Sequence, residues 1–248
     1  MKKEELLKRQ NEIDKEIKKV WGLEGSLDGI TDIDEWIKIE ENNELKTLWI
    51  LKETNRDSLP KENFNQRDFN KNEAGWSTAT YTNIMKVTMG IREYAVSGGV
   101  QQFEKKLPKL LTENGNRDFK YYISPSDEEW IEPLKQIAII NVHKGIGSKK
   151  SNDTFIAAQY DKPEVRKIIL DQVEYINPDI IIVCNKVDRL LCDLAGVDSI
   201  SKYTKYSCDT KYFEKNVSKK QLIISTGHPL GKTAQTYCDA IFEIIYGF

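Results

Sequence analysis

Gln221–Cys238 reads QLIISTGHPLGKTAQTYC, and the parsing of this stretch constrains the rest of the chain. An apolar run, Leu222-Ile223-Ile224, stops at Thr226-Gly227. His228-Pro229 follows, and Gly231-Lys232-Thr233 then opens a helical pattern that runs toward residue 248. A histidine carried from the end of a buried strand to the start of a helix sits where α/β proteins place their ligands. The sequence holds two histidines, His143 and His228, and both follow apolar runs of this kind.

Working outward, three more segments read as buried strands. They lie near residues 46–51 (KTLWIL), 136–142 (QIAIINV) and 179–184 (DIIIVC), with a fourth near 221–225. The third is almost entirely apolar, as expected of a parallel strand covered on both faces. Helical patterns separate them. Pro163 starts one in which Val165, Ile168, Ile169, Leu170 and Val173 form a stripe ending near Asn177-Pro178, and another runs over 186–194. Residues 1–44 read as a helical extension: an amphipathic helix over 2–20, a glycine-bearing connection, and a second helix that Thr31 and Asp34 would start as a capping box. Residues 56–130 read as a helical insert with a long Asn-rich loop, a helix over 77–94, and a short helix opened by the Ser126/Glu129 box. Residues 198–220 read as a polar, Tyr- and Lys-rich excursion. The order predicts one α/β domain over 1–248. Its expected form is a three-layer α/β/α sandwich around a central parallel sheet of about four strands with right-handed crossovers.

Composition narrows the function classes. Hydrophobic residues make up 39% and charged residues 31% of the 248, which reads as a soluble globular chain. A formal net charge of −2 provides no global field for nucleic acid, so such binding would need a local basic patch. The apolar runs are far shorter than a membrane span, and the charged first residues do not resemble a signal peptide; the expectation is a cytoplasmic protein with no membrane partner. Cys184, Cys192, Cys208 and Cys238 show no CxxC spacing and read as thiols, so neither metal nor cofactor is expected.

Two motifs point to a GTPase and fail on counting. Asn185-Lys186-Val187-Asp188 follows a strand in the manner of NKxD, and Gly231-Lys232-Thr233 looks like the end of a P-loop. A P-loop needs a glycine five positions before that GK, so that the turn can wrap a phosphate. Thr226 stands there, and Gly227 is one residue too close. Lys186 and Asp188 read instead as the solvated start of a helix.

Parallel strands deliver their C-terminal ends to one edge. There the sequence gathers Glu53-Thr54-Asn55, Asn141 with His143, Asn185, and His228-Pro229. In this ordering the chain resembles the uracil-DNA glycosylase superfamily over roughly residues 45–246. Trp49–Asn55 (WILKETN) is similar to that family's first strand and water-activating loop, with Glu53 standing where the GEAPG-loop branch has its glutamate. Ile140–Lys144, with Asn152 downstream, is similar to the strand whose Asn reads the flipped base. Ile176–Val183 is similar to the third strand, and Thr226–Leu230 to the HPS motif. The chain departs from the pattern at Lys52, Asn55, Asn185 and Leu230, and its cysteines do not fit the branch's iron–sulfur ligands.

The resemblance implies hydrolysis of the N-glycosidic bond of a flipped uracil or otherwise modified base. Glu53 and His228 would be catalytic, the first orienting water and stabilising an oxocarbenium-like sugar, the second stabilising the departing base. Asn141, Thr54 and Asn55 would contact the base, and Phe69, Trp76 or Tyr81 would stack on it. Lys232 and Thr233, with Lys144 and His143 at the periphery, would hold phosphate. The partner would be single- or double-stranded DNA or a nucleotide. The alternatives on the same fold are a catalytically silent nucleic-acid- or nucleotide-binding protein, and a hydrolase of small nucleotides.

Overall fold

The computed structural model describes residues 2–55, 62, 64–67, 79–97, 128–147, 152–199, 204–205, 211–216, 220–229, 241 and 244–245. The apolar runs found in the sequence become the middle of a seven-stranded sheet. In chain order its strands are β1 (Gly29–Ile30), β2 (Thr47–Asn55), β3 (Ile137–Gly147), β4 (Ile180–Val183), β5 (Thr204–Lys205), β6 (Lys211–Asn216) and β7 (Lys220–Ser225). They lie side by side in the order β1-β3-β2-β4-β7-β6-β5. The inner four, β3-β2-β4-β7, are parallel and in register, with Trp49 beside Ile139 and Ile182, and Ile182 beside Ile224.

Alternation along these strands divides the core into two layers. Leu48, Ile50, Ala138, Ile140, Ile181, Val183 and Ile223 point to one face. That face is covered by α1 (Lys3–Trp21), α2 (Ile33–Glu41), α5 (Asp153–Tyr160), α6 (Pro163–Ile176) and α7 (Asp188–Ala195). Trp49, Leu51, Ile137, Ile139, Ile182, Leu222 and Ile224 point to the other. There they meet α3 (Ala79–Ser97), α4 (Glu128–Lys135) and the residues Ile241, Ile244 and Ile245. Strands buried on both faces need no polar alternation, which is why DIIIVC reads as a continuous apolar run. Each fully buried Ile or Val contributes about 1.5–3 kcal/mol of hydrophobic stabilisation.

The structure shows the three-layer α/β arrangement and adjusts it in four places. The sheet gains three strands beyond the expected four, all antiparallel: β1 beside β3, β6 beside β7, and β5 beside β6. Part of the excursion expected over 198–220 is therefore sheet; KYFEKN pairs along β7 from Lys211–Ser225 to Asn216–Lys220. The N-terminal helices are a layer of the core, since Leu6, Ile13, Ile17, Trp36 and Ile39 are all buried in it. The start of α2 is capped by Asp32, whose Oδ1 accepts from the backbone N–H of Asp34 and Glu35 at 2.9 and 3.1 Å. Thr31 instead donates its hydroxyl to the carbonyls of Leu134 and Ile137.

Local sequence also sets how the chain enters the sheet. Asn177 adopts a left-handed conformation (φ 45°) at the end of α6, and Pro178 prevents continuation, so the chain turns directly into β4. Gly29 has φ +137°, and a Cβ there would lie 2.5 Å from the Tyr175 hydroxyl, so β1 can approach α6 only with glycine. Among the described residues no helix is long and apolar enough to cross a membrane.

Candidate functional site

β2 and β4 are neighbours, and the chain crosses to β3 on one side of them and to β7 on the other. The crevice beyond the carboxyl ends of such a pair is where open α/β sheets bind ligands. Three buried polar atoms around these strand ends have no hydrogen-bond partner among the described residues: Asn141 Oδ1 on β3, Thr54 Oγ1 on β2 and Asn185 Nδ2 just past β4. Their residues are 1%, 7% and 2% exposed. A buried unsatisfied polar group costs about 1–3 kcal/mol, so these three atoms are the candidates at this edge for contact with a polar ligand.

Glu53 is partly buried at the point where the β2–β3 register breaks. Glu53 pairs with His143, but Thr54 pairs with Ile146, so Lys144 and Gly145 form an extra step on β3. This bulge keeps β3 in the sheet through Gly147. His143 and Lys144 therefore lie within the strand, where the sequence suggested a loop after Val142. Gly147 is held to glycine by proximity: a Cβ there would lie 2.5 Å from the Thr54 carbonyl and 2.9 Å from Glu53 Cγ.

On the face covered by α5, Lys52 pairs with Asp153 at 2.7 Å. Asp153 is the first residue of α5, whose N-cap Asn152 accepts from the Thr154 N–H at 2.9 Å. A carboxylate in that first turn suits both the helix dipole and the lysine. His228, partly buried after β7, responds to both groups. Burial and then the Lys52 ammonium push its pKa down from 6.5 to about 4, with Asp153 opposing. The ring is thus neutral near pH 7. Asn83 of α3 fixes the adjoining peptide by donating to the Pro229 carbonyl at 2.7 Å. The charges acting on His228 are Lys52 and Asp153.

The β3 end is filled by its own polar network. Asp28 is 1% and Lys144 0% exposed, and they form an ion pair of 2.7 and 2.9 Å. Asp28 also accepts from the Asn141 backbone N–H (2.7 Å), Asn141 Nδ2 (3.2 Å) and Gln172 Nε2 (2.9 Å). Asn141 Nδ2 donates further to Gln66 Oε1 at 2.6 Å, and Gln66 Nε2 donates to the Tyr81 hydroxyl at 2.6 Å. Burial pushes the Tyr81 phenol above its ordinary range.

This corrects one expected contact: Lys144 cannot reach a phosphate, because its ammonium is sealed inside the fold against Asp28. His143 has an aromatic setting, edge-on to Phe155 at 5.1 Å and to Trp21 at 6.4 Å. Its ring lies so close over Gly145 that a Cβ there would be 2.8 Å from Nε2. Asn141 and Tyr81 are brought together through Gln66. Asn55 closes β2 beside Gly147. Phe69, Trp76, Lys232 and Thr233 lie outside the described residues.

Sequence reading missed Asp28, Gln66, Asn83 and the Lys52–Asp153 pair. Only Lys52 carried a signal, as a charged residue abutting Glu53 at a strand end. Among the described residues no group of three or more His, Cys, Asp or Glu could hold a metal ion. No model of a known protein family matches the chain, and no curated protein matches it.

Proposed function

We propose that the crevice at the carboxyl edge of the sheet receives a nucleobase, carried on DNA or on a nucleotide, and that the chain hydrolyses its N-glycosidic bond. The observation that carries the reading is His228, held neutral in a desolvated position beside the fixed cation Lys52. In this cleavage the bond between the sugar C1′ and the base nitrogen breaks, and its electron pair leaves with the base. A neutral imidazole N–H with an ammonium nearby is a preorganised donor to that anion and acts without taking up a second proton. Water adds to C1′ through its oxygen, and the proton it releases ends on the base anion, so the products are the free base and the hydroxylated sugar. Glu53, at the β-bulge, is the carboxylate suited to orient that water and balance the oxocarbenium-like sugar. The resemblance of WILKETN and of the His228-Pro229 turn to the uracil-DNA glycosylase superfamily supports the same roles.

The test is base release from oligonucleotides carrying uracil, hypoxanthine or modified cytosines, read by mass spectrometry. Glu53→Gln and His228→Ala are each expected to slow release by roughly a hundredfold or more with folding intact. Wild-type rates in either variant, or no base released by the wild type, would sink the reading. A second reading, binding of a nucleotide without cleavage, is favoured by the departures of the first loop from the family's pattern at Lys52 and Asn55 and by the net charge of −2. Salt separates DNA from a small nucleotide as ligand, because duplex affinity falls steeply with ionic strength.

A further inference from the structure

We infer that the rings of Phe155, His143 and Trp21, bordered by Lys18, form a stacking platform for an unpaired nucleobase, so that the chain takes single-stranded DNA in preference to a duplex. This rests on the reading of the crevice as a base site, and it names the form of nucleic acid that carries the base. The platform begins with an exposed ring. Phe155, in the first turn of α5, is 42% exposed and is the one aromatic among the four exposed large apolar side chains of the described residues. Its ring meets His143 edge-on, with centroids 5.1 Å apart and planes at 77°. An edge-on contact covers at most one face of a ring, so Phe155 keeps a π-face that His143 does not cover.

Two further side chains extend this surface. Trp21, partly exposed at the end of α1, meets the His143 ring at 6.4 Å and 72°. Gly145 approaches both rings: a Cβ there would be 2.8 Å from His143 Nε2 and 3.4 Å from Trp21 Cδ1. Lys18 is exposed and lies three residues before Trp21, so the two are neighbours on the surface of α1. Glu16 engages Lys19 at 3.8 Å, whereas Lys18 has no ion-pair partner among the described residues.

The platform adjoins the crevice at two points. His143 stands beside Glu53 in the β2–β3 register. Asp153, two residues before Phe155, pairs at 2.7 Å with Lys52, the residue preceding Glu53. A nucleotide adjoining the one bound at Glu53 therefore meets these rings. Charge decides between the two forms of DNA. A duplex is held mainly through its phosphates by a cationic surface, and its bases are closed into their own stack. The net charge of −2 supplies no such field. A single strand offers its π-faces directly, and stacking on an aromatic side chain contributes about 1–3 kcal/mol per base.

The test measures, at one salt concentration, the affinity of the full chain for a single-stranded oligonucleotide of ordinary bases and for its duplex, by fluorescence anisotropy. Deoxyuridine monophosphate, followed by calorimetry, is the ligand too small to reach the platform. The wild type is expected to bind the single strand more tightly than the duplex. Phe155→Leu keeps an apolar side chain but removes the ring, and should weaken single-strand binding by roughly tenfold or more. Phe155→Tyr keeps the ring and should bind as the wild type does. Neither variant should change the mononucleotide affinity, which a general disturbance of the fold would lower along with that for the strand. Duplex binding as tight as the single strand's, wild-type single-strand affinity in Phe155→Leu, or binding of the mononucleotide alone overturns the inference and leaves the base site standing. Failure of the oligonucleotides and the mononucleotide alike to bind overturns the base-site reading and the inference with it.

Discussion

The ends of β3 and β7 start from the same sequence device, an apolar run followed by a histidine, and the fold treats them in opposite ways. At the β3 end the polar groups satisfy one another. Asp28, Lys144, Asn141 and Gln66 form a closed network, and His143 packs among Trp21, Phe155 and Gly145. At the β7 end His228 is desolvated beside Lys52 and Asp153, and its main-chain neighbour Pro229 is pinned by Asn83. The first end spends its charge on architecture and leaves two acceptors over, Asn141 Oδ1 and Gln172 Oε1. The second holds a titratable group whose pKa is displaced from its ordinary value by burial and a neighbouring charge, a feature that clusters at functional sites. A strand-end histidine is thus informative only with its neighbours, and those neighbours come from distant parts of the chain.

The contrast is tested most severely at Lys144. If the β3 end is architecture, Lys144→Met leaves the Asp28 carboxylate buried without its counter-charge and should destabilise the fold by about 3–5 kcal/mol. Urea denaturation reads this directly. Replacing both partners, Lys144→Met with Asp28→Leu, should recover much of the loss, because removing a buried pair costs less than breaking it. A Lys144→Met midpoint close to the wild type would show that the network bears little of the fold's stability.

The β7 end should instead show itself through pH. His228 titrates near 4 in the folded chain against an ordinary 6.5. Between these values the unfolded state binds the extra proton and the folded state does not, so stability rises with pH across the window. This contribution is complete above pH 6.5 and is lost as pH falls toward 4, reaching about 3 kcal/mol. In His228→Gln that part of the pH dependence should vanish. An identical pH profile for the variant and the wild type would mean that the imidazole is not held neutral.

These two ends also show what the sequence makes legible. The four inner strands are written in their own residues, because DIIIVC or KTLWIL needs no distant partner to be recognised as buried. Glu53 and His228 could be nominated because each directly follows such a run. The role of Lys144 could not be read, since it depends on Asp28, 116 residues away in sequence. The same holds for Asn83, which finds Pro229 across 146 residues. β6 was hidden for another reason: KYFEKN is short, charged and close to the sheet's edge, its two aromatic residues are adjacent rather than alternating, and its pairing along β7 gives it order. Lys144 was misassigned because a lysine after a strand resembles a phosphate contact until the β-bulge draws it into the sheet.

The smallest effect separates the two ends most finely. Asn83 is 1% exposed and donates to the Pro229 carbonyl at 2.7 Å, so Asn83→Ala leaves that buried oxygen unsatisfied at a cost of about 1–3 kcal/mol. The loss is local to the turn that carries His228. With the turn less firmly seated, water reaches the imidazole and the burial that depresses its pKa weakens. The His228 titration, followed by NMR, should move up from about 4 toward 6.5. The β3 network reaches α3 through Gln66 and Tyr81 but shares no hydrogen bond with Pro229 among the described residues, and should respond less. Amide exchange provides the internal control. The Thr226 N–H, bonded to the Val183 carbonyl at 2.9 Å beside the turn, should exchange faster. The Asn141 N–H, bonded to Asp28 at 2.7 Å, should keep its protection apart from the global loss of stability. Equal local loss at both amides would mean that the two strand ends are one cooperative unit, and that the division between an architectural end and a reactive end is false.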